Sequence, residues 1–106
     1  MVDKSFLSKM KDGAMLINSS RGELIDEPDL LNAINLKGLR VGLDVYNNEP
    51  GAGDSNFTSE IAAHPSVCGT HHIGASTEQA QVAVADGVLN VIAAYADGDF
   101  KNCVNN

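Results

Sequence analysis

The sequence predicts an α/β fold built on a parallel sheet. Three observations carry that expectation. Short continuous apolar runs of strand length alternate with helical patterns along the chain, in the order α-β-α-β-turn-β-α. Strands alternating with helices argue for parallel pairing through right-handed crossovers. Each of the three strand-like runs also ends in a polar cluster. Ligands in such sheets bind outside the carboxyl ends of the strands.

The elements follow in order. Residues 4–11 read as a short helix, with Asp3 as N-cap, Gly13 as the stop, and Phe6, Leu7 and Met10 on one face. Ala14 to Ile17 is a continuous apolar run, as expected of a strand buried on both faces. Asp26-Glu27-Pro28-Asp29 is a helix start: Asp26 can cap, Pro28 suits the first turn, and the acids suit the positive end of the helix dipole. That helix carries Leu30, Leu31, Ala33, Ile34 and Leu36 and stops at Gly38. A second strand is expected from Leu39 to Val45, and a loop over 47–57 rich in Asn, Gly and Pro. A helical turn over 58–63 precedes a third strand from Ser66 to Thr70. Thr77 can cap a long last helix over 78–95, ended by Gly98. Its stripe of Ala80, Val84, Val88, Val91 and Tyr95 is widened by Val82, Ala85, Leu89, Ile92 and Ala93. An apolar surface that wide calls for cover on more than one side.

With 106 residues the chain is sized for one small domain. Seven basic against fourteen acidic residues give a net charge of −7. That charge argues against nucleic acid and against anionic membrane surfaces as partners. No run approaches the roughly 20 apolar residues of a membrane span. The start, Met-Val-Asp-Lys-Ser-Phe, has no apolar core of a signal peptide. Two widely separated cysteines, Cys68 and Cys103, fit a cytoplasmic protein with reduced thiols better than a disulfide framework.

The clusters carry the chemistry. The first is Asn18-Ser19-Ser20-Arg21-Gly22. An Arg just past a strand offers a fork of donors suited to a carboxylate or keto acid, although alone it is more often a surface residue. Gly22 allows backbone to approach closely. In the second, Asp44 sits in an otherwise apolar run and needs a partner, structural or ligand. Glu49, before Pro50, would alone be a solvated loop acid. The third holds His71 and His72. Histidine is the usual general acid/base near neutral pH, and a nearby carboxylate favours its charged form and fixes its tautomer. Adjacent histidines in an extended stretch point in opposite directions, so a shared metal is disfavoured and no metal is expected. His64 reads as structural or surface.

Taken jointly, the clusters resemble the D-isomer-specific 2-hydroxyacid dehydrogenases. Residues 18–26 match that family's Asn-x-x-Arg-Gly-x-x-Val/Ile-Asp segment, Asp44-Val45 through Glu49-Pro50 its Asp-Val-x-x-x-Glu-Pro segment, and His72-Ile73-Gly74-Ala75-Ser76-Thr77 its catalytic His segment. The run Glu78-Gln79-Ala80-Gln81 looks most like the 3-phosphoglycerate dehydrogenase branch, which serves serine biosynthesis. The resemblance implies an NAD-dependent oxidoreductase acting on a small 2-hydroxy or 2-keto acid. It implies that Arg21 orients the substrate, that His72 exchanges a proton with the substrate oxygen, and that Glu49 holds His72. Ser19, Ser20, Arg21, Asp44, His72, Ile73, Gly74 and Ala75 would lie around the nicotinamide. Where the family usually has Pro, this chain has His71, so a looser approach to His72 is expected, with the same chemistry.

The implied fold is the second half of a three-layer Rossmann-like sheet: about three strands with flanking helices over residues 1–106, including the helix that returns towards a substrate domain. The family's Gly-x-Gly-x-x-Gly turn and the acidic residue after it do not occur in these 106 residues. Gly51-Ala52-Gly53 follows no predicted strand and opens no predicted helix. Weak cofactor binding, negligible turnover by the chain alone, and self-association through an exposed sheet edge and the last helix are therefore expected. The competing readings are a non-catalytic fragment or interaction module of the same family and a flavodoxin-like binding domain. Intact Arg21, Glu49 and His72 favour an enzyme parent, the missing glycine turn favours the non-catalytic reading for this chain as it stands, and the flavodoxin-like option has only the α/β pattern behind it and no phosphate loop.

Overall fold

The computed structural model describes residues 1–50 and 57–104, so Gly51-Ala52-Gly53 lies outside the described residues. The chain divides into two compact units, Met1–His72 and Ile73–Asn106.

The first unit opens with α1, Lys4–Ser8, whose N-cap Asp3 accepts from the Phe6 N–H at 2.9 Å. That bond is the first cause of the Asp3 carboxyl lying below its usual range. The helix is shorter than the sequence suggests. Lys37 explains the early stop: its Nζ donates to the carbonyls of Leu7, Ser8 and Met10 at 3.3, 2.7 and 2.5 Å. A cation on the last carbonyls of a helix satisfies acceptors that the helix leaves open. The face also differs from expectation. Leu7 is buried and Met10 packs on the core, but Phe6 is exposed.

Strand β1 spans Met15–Asn18 and β2 spans Arg40–Leu43, joined by α2, Glu27–Lys37. The α2 start is as the sequence predicts, with Asp26 Oδ1 accepting from Asp29 N–H at 3.0 Å. Its end is Gly38, in the left-handed region at φ 63°, where a side chain would be strained. Strand β3 spans Val67–Gly69, and the three strands pair in parallel in the order β1-β2-β3. The turn before β3 forms over 60–63 and buries Ile61.

Register sorts the side chains. Leu16, Val41 and Val67 stand in line across the sheet and face the core. There they meet Leu7 of α1, Leu30, Ala33 and Ile34 of α2, and Leu39 before β2. Successive residues point the other way, because side chains alternate along a strand. The expectation that the first strand is buried on both faces is therefore wrong: Met15 and Ile17 are 65% and 75% exposed. In this unit α1 and α2 cover only one face of the sheet. Leu36 is 85% exposed because it falls off the buried stripe of Leu30, Ala33 and Ile34.

The second unit holds α3, Glu78–Ala96, capped by Thr77 Oγ1, which accepts from the Ala80 N–H at 3.2 Å. The chain turns at Gly98, and the Phe100 ring meets Tyr95 edge-on at 5.6 Å. Ala94 alone in α3 is buried; Val84, Val88 and Tyr95 are exposed. Among the described residues no helix is long and apolar enough to cross a membrane.

Leu30 and Leu36 give a direct test of this packing. Leu30→Ala should lower stability by about 2–5 kcal/mol, the usual cost of truncating a filled core position. Leu36→Ala should stay within about 0.5 kcal/mol, as surface changes do. Urea unfolding of both variants reads the difference.

Candidate active site

The site is built at the carboxyl ends of the three strands. After β1 the chain turns within a few residues, and Asn18 makes the turn. The residue is 8% exposed, and both ends of its amide are engaged. Its Nδ2 donates to the Arg21 carbonyl at 2.8 Å, and its Oδ1 accepts from the Ser20 N–H and hydroxyl at 3.1 and 2.8 Å. This is an Asx-type turn, in which a side chain replaces backbone partners. It presents Ser19, Ser20 and Arg21 on the surface. The Arg21 guanidinium donates to the Ser20 carbonyl at 2.6 Å. Among the described residues no carboxylate lies within ion-pair distance of it.

After β2, Asp44 is 9% exposed and its Oδ1 accepts from the Thr70 hydroxyl at 2.6 Å. That answers the question its burial posed: one partner is structural and comes from the end of β3. The Asp44 carbonyl also accepts from the His72 N–H at 2.7 Å. The corner at His72 is thus tied to Asp44 at both backbone and, through Thr70, side chain.

The loop from Tyr46 to Pro50 folds back so that Glu49 bridges two donors. Its Oε1 accepts from the Tyr46 N–H at 2.6 Å, and its Oε2 meets His72 Nδ1 at 2.7 Å. The Glu49 carboxyl is held below its usual range, first by the Tyr46 N–H and then by His72. The Tyr46 phenol is pushed the other way, by burial and then by the Asp44 charge. Asn47 fixes the loop on the α2 side, its N–H donating to Glu27 Oε1 at 2.8 Å and its Nδ2 to the Ile25 carbonyl at 3.1 Å.

Arg21, Glu49 and His72 line one open cleft of about 450 Å³, with Gly22, Tyr46 and Asn47 among its walls. The three residues singled out by the sequence are therefore neighbours. With Nδ1 engaged by a carboxylate, the neutral ring carries its proton on Nδ1, and Nε2 is the nitrogen left for proton exchange. An arginine beside it can hold an anion. Ile73, Gly74 and Ala75 open the second unit, where Ser76 N–H donates to the Ile73 carbonyl and Gln81 Nε2 to the Ala75 carbonyl. His71 is exposed. His64 lies elsewhere, accepting from the Ser66 N–H at Nδ1, with Nε2 near Asn35 Oδ1. Among the described residues no group of three metal-binding side chains converges. Sequence reasoning assigned no role to Asn18, Thr70 or Tyr46. Asn18 carried a usable signal, a polar side chain two and three residues before the groups it bonds.

The bridge yields a pH prediction. Because the Glu49 pKa is lowered in the fold, its contribution to stability is present above the ordinary glutamate range. It is lost as pH falls through the lowered pKa. Glu49→Gln should remove that segment of the pH dependence in urea unfolding. It should also move the neutral His72 proton from Nδ1 to Nε2, since an amide N–H now faces Nδ1; ¹⁵N shifts of the imidazole report the change.

Comparison with known proteins identifies the family and the fold. Residues 1–74 match the family model of the D-isomer specific 2-hydroxyacid dehydrogenase NAD binding domain. A glyoxylate/hydroxypyruvate reductase B of Enterobacter agglomerans is 41% identical over 107 residues, covering 99% of this chain and 32% of the relative. D-3-phosphoglycerate dehydrogenase 1 of Saccharomyces cerevisiae is 36% identical over 115 residues, covering 99% of this chain and 24% of the relative. The crystal structure of a glyoxylate reductase from Paecilomyes thermophila superimposes with a TM-score of 0.73 at 35% identity, covering 89% of this chain and 27% of that one. The chain spans about a quarter to a third of the length of these proteins. The three parallel strands with their helices are Rossmann-like. This chain belongs to the D-isomer-specific 2-hydroxyacid dehydrogenase family, as a portion of its NAD-binding domain.

Proposed function

We propose that this chain carries the proton-transfer and substrate-orienting half of an NAD-dependent 2-hydroxyacid dehydrogenase. The observation that supports this most is the 2.7 Å contact of Glu49 with His72 Nδ1, in a cleft shared with Arg21. Glu49 fixes the imidazole so that Nε2 serves the substrate oxygen. In the reducing direction protonated His72 gives a proton to the keto oxygen; in the oxidising direction neutral His72 takes the hydroxyl proton. Arg21 binds the substrate carboxylate through its fork of donors and turns the reacting carbon towards the cofactor.

The groups present fit the nicotinamide end of NAD. The buried carboxylate of Asp44 is an acceptor suited to a carboxamide NH₂, and the exposed Ser19 hydroxyl is a donor suited to its carbonyl. When bound, that ring supplies or accepts the hydride. As substrate we favour 3-phosphoglycerate, on the Glu78-Gln79-Ala80-Gln81 run and the 36% identical relatives. Glyoxylate or hydroxypyruvate is the second reading, favoured by the 41% identical reductase. The thiols of Cys68 and Cys103 are in keeping with a cytoplasmic setting.

The 106 residues alone are expected to bind NAD weakly and to turn nothing over, since they contain no Gly-x-Gly-x-x-Gly turn for the pyrophosphate. Titration with NAD should shift the NMR signals of His72 and Asp44 in the millimolar range. No shift there sinks the cofactor reading, and NADH production from 3-phosphoglycerate by this chain sinks the claim of inactivity. We also expect self-association. The edge strand β1 shows Met15 and Ile17 on its open face, and α3 shows Val84, Val88 and Tyr95. Light scattering that finds a monomer at high concentration would count against it.

A further inference from the structure

The two glycines beside the site are not there for backbone freedom. Gly22 and Gly69 both have ordinary negative φ, so their conformations suit any residue. Both are needed for space, and the space is filled by one residue. A methyl group on Gly22 would overlap the carbonyl carbon and oxygen of Tyr46 and come within 2.7 Å of the Asn47 nitrogen. A methyl on Gly69 would overlap the Tyr46 hydroxyl, with Cζ at 3.3 Å. Tyr46 is 8% exposed, and its ring leans on Phe57 with centroids 5.3 Å apart.

The same residue reaches each side chain of the site through a short path. Its carbonyl lies against Gly22, the neighbour of Arg21. Its N–H holds Glu49 Oε1. Its hydroxyl presses on Gly69, three residues before His72, and donates to the Leu43 carbonyl at 3.3 Å, which also accepts from the Thr70 N–H at 2.9 Å.

We propose that Tyr46 is the positioning residue of this site: wedged between Gly22 and Gly69, it sets Arg21, Glu49 and His72 in one register. It touches no reacting atom in this scheme. Its peptide sets the Glu49 carboxylate, and its phenol sets the spacing between the ends of β2 and β3, on which the Glu49–His72 contact depends. The inference rests on the reading of Glu49 and His72 given above.

The test uses the full 106-residue chain and the ¹⁵N shifts of the His72 imidazole, which report whether the neutral ring holds its proton on Nδ1. Wild type should show the Nδ1–H form. If it shows the mixture of a free histidine instead, the reading of the Glu49–His72 pair fails before Tyr46 is tested. Gly69→Ala should lose the Nδ1–H signature, or fail to fold. Tyr46→Phe combined with Gly69→Ala should fold and restore it, because the overlapping hydroxyl is gone and the remaining contact is 3.3 Å. Gly22→Ala should also lose the signature, and Tyr46→Phe should not rescue it, because that overlap is with backbone. Gly87→Ala, with nothing within 4 Å of the added methyl, should leave the spectrum as in wild type. A Gly69→Ala chain with the wild-type spectrum would overturn the proposal, as would a Tyr46→Phe change that rescues neither glycine variant or both.

Discussion

The Glu49 carboxylate holds two donors at once, one oxygen on the Tyr46 N–H and the other on His72 Nδ1. Both contacts are short, and both favour the ionised carboxylate. The first tethers the loop to the end of β2; the second crosses from that loop to the corner after β3. The arrangement exists only because β2 and β3 are adjacent and parallel, so that their carboxyl ends lie side by side. Antiparallel strands would put Tyr46 and His72 at opposite ends of the sheet. The chemistry of the cleft thus depends on strand direction first and on side-chain identity second.

Two residues around this bridge adopt a backbone that side chains disfavour. Asn48 has φ 57° and His72 has φ 59°. Asparagine accepts the left-handed region readily, because its short amide can bond locally. Histidine gains less, and a strained residue costs on the order of 1–3 kcal/mol. The His72 corner is over-determined by what surrounds it. Its N–H is tied to the Asp44 carbonyl, its ring to Glu49, and Thr70 two residues earlier to the Asp44 carboxylate. Asp44 therefore acts in the corner itself, whatever else it meets. A buried carboxylate that accepts a hydroxyl at 2.6 Å holds the strand end rigid where the imidazole needs a fixed direction.

What could be read from the sequence is what local chemistry decides. Asp3, Asp26 and Thr77 cap their helices, and Gly38 ends α2, because a cap is an interaction over three or four residues. Arg21, Glu49 and His72 were visible as polar residues after apolar runs, and parallel pairing brings such positions together. The failures share a cause as well. Which face of β1 is covered depends on where helices lie across the sheet, and an unbroken run of Ala14 to Ile17 does not contain that information. The stop of α1 at Ser8 depends on Lys37, 29 residues away. Gly69 sits in β3 with no turn signal around it, and its reason is a phenol from another strand end. Long-range fit of this kind leaves only an unexplained small residue in the sequence.

Arg21, Glu49 and His72 all belong to the first unit. Leu30, Leu39, Val45 and Ile61 are buried within it, and they fix α2, β2 and the turn before β3 around the strand ends. Arg21, Glu49 and His72 stand on those ends and line one cleft. The unit is acidic in the chain's own balance, yet the cleft offers an arginine with no carboxylate partner among the described residues. Of the two acids that line the cleft, Glu23 is exposed and Glu49 is committed to Tyr46 and His72. Its charge is spent on two donors rather than left to repel an anion. An arginine and an imidazole held by Glu49 can therefore share one cleft in a chain of net charge −7, because Glu49 is turned onto its two hydrogen-bond donors.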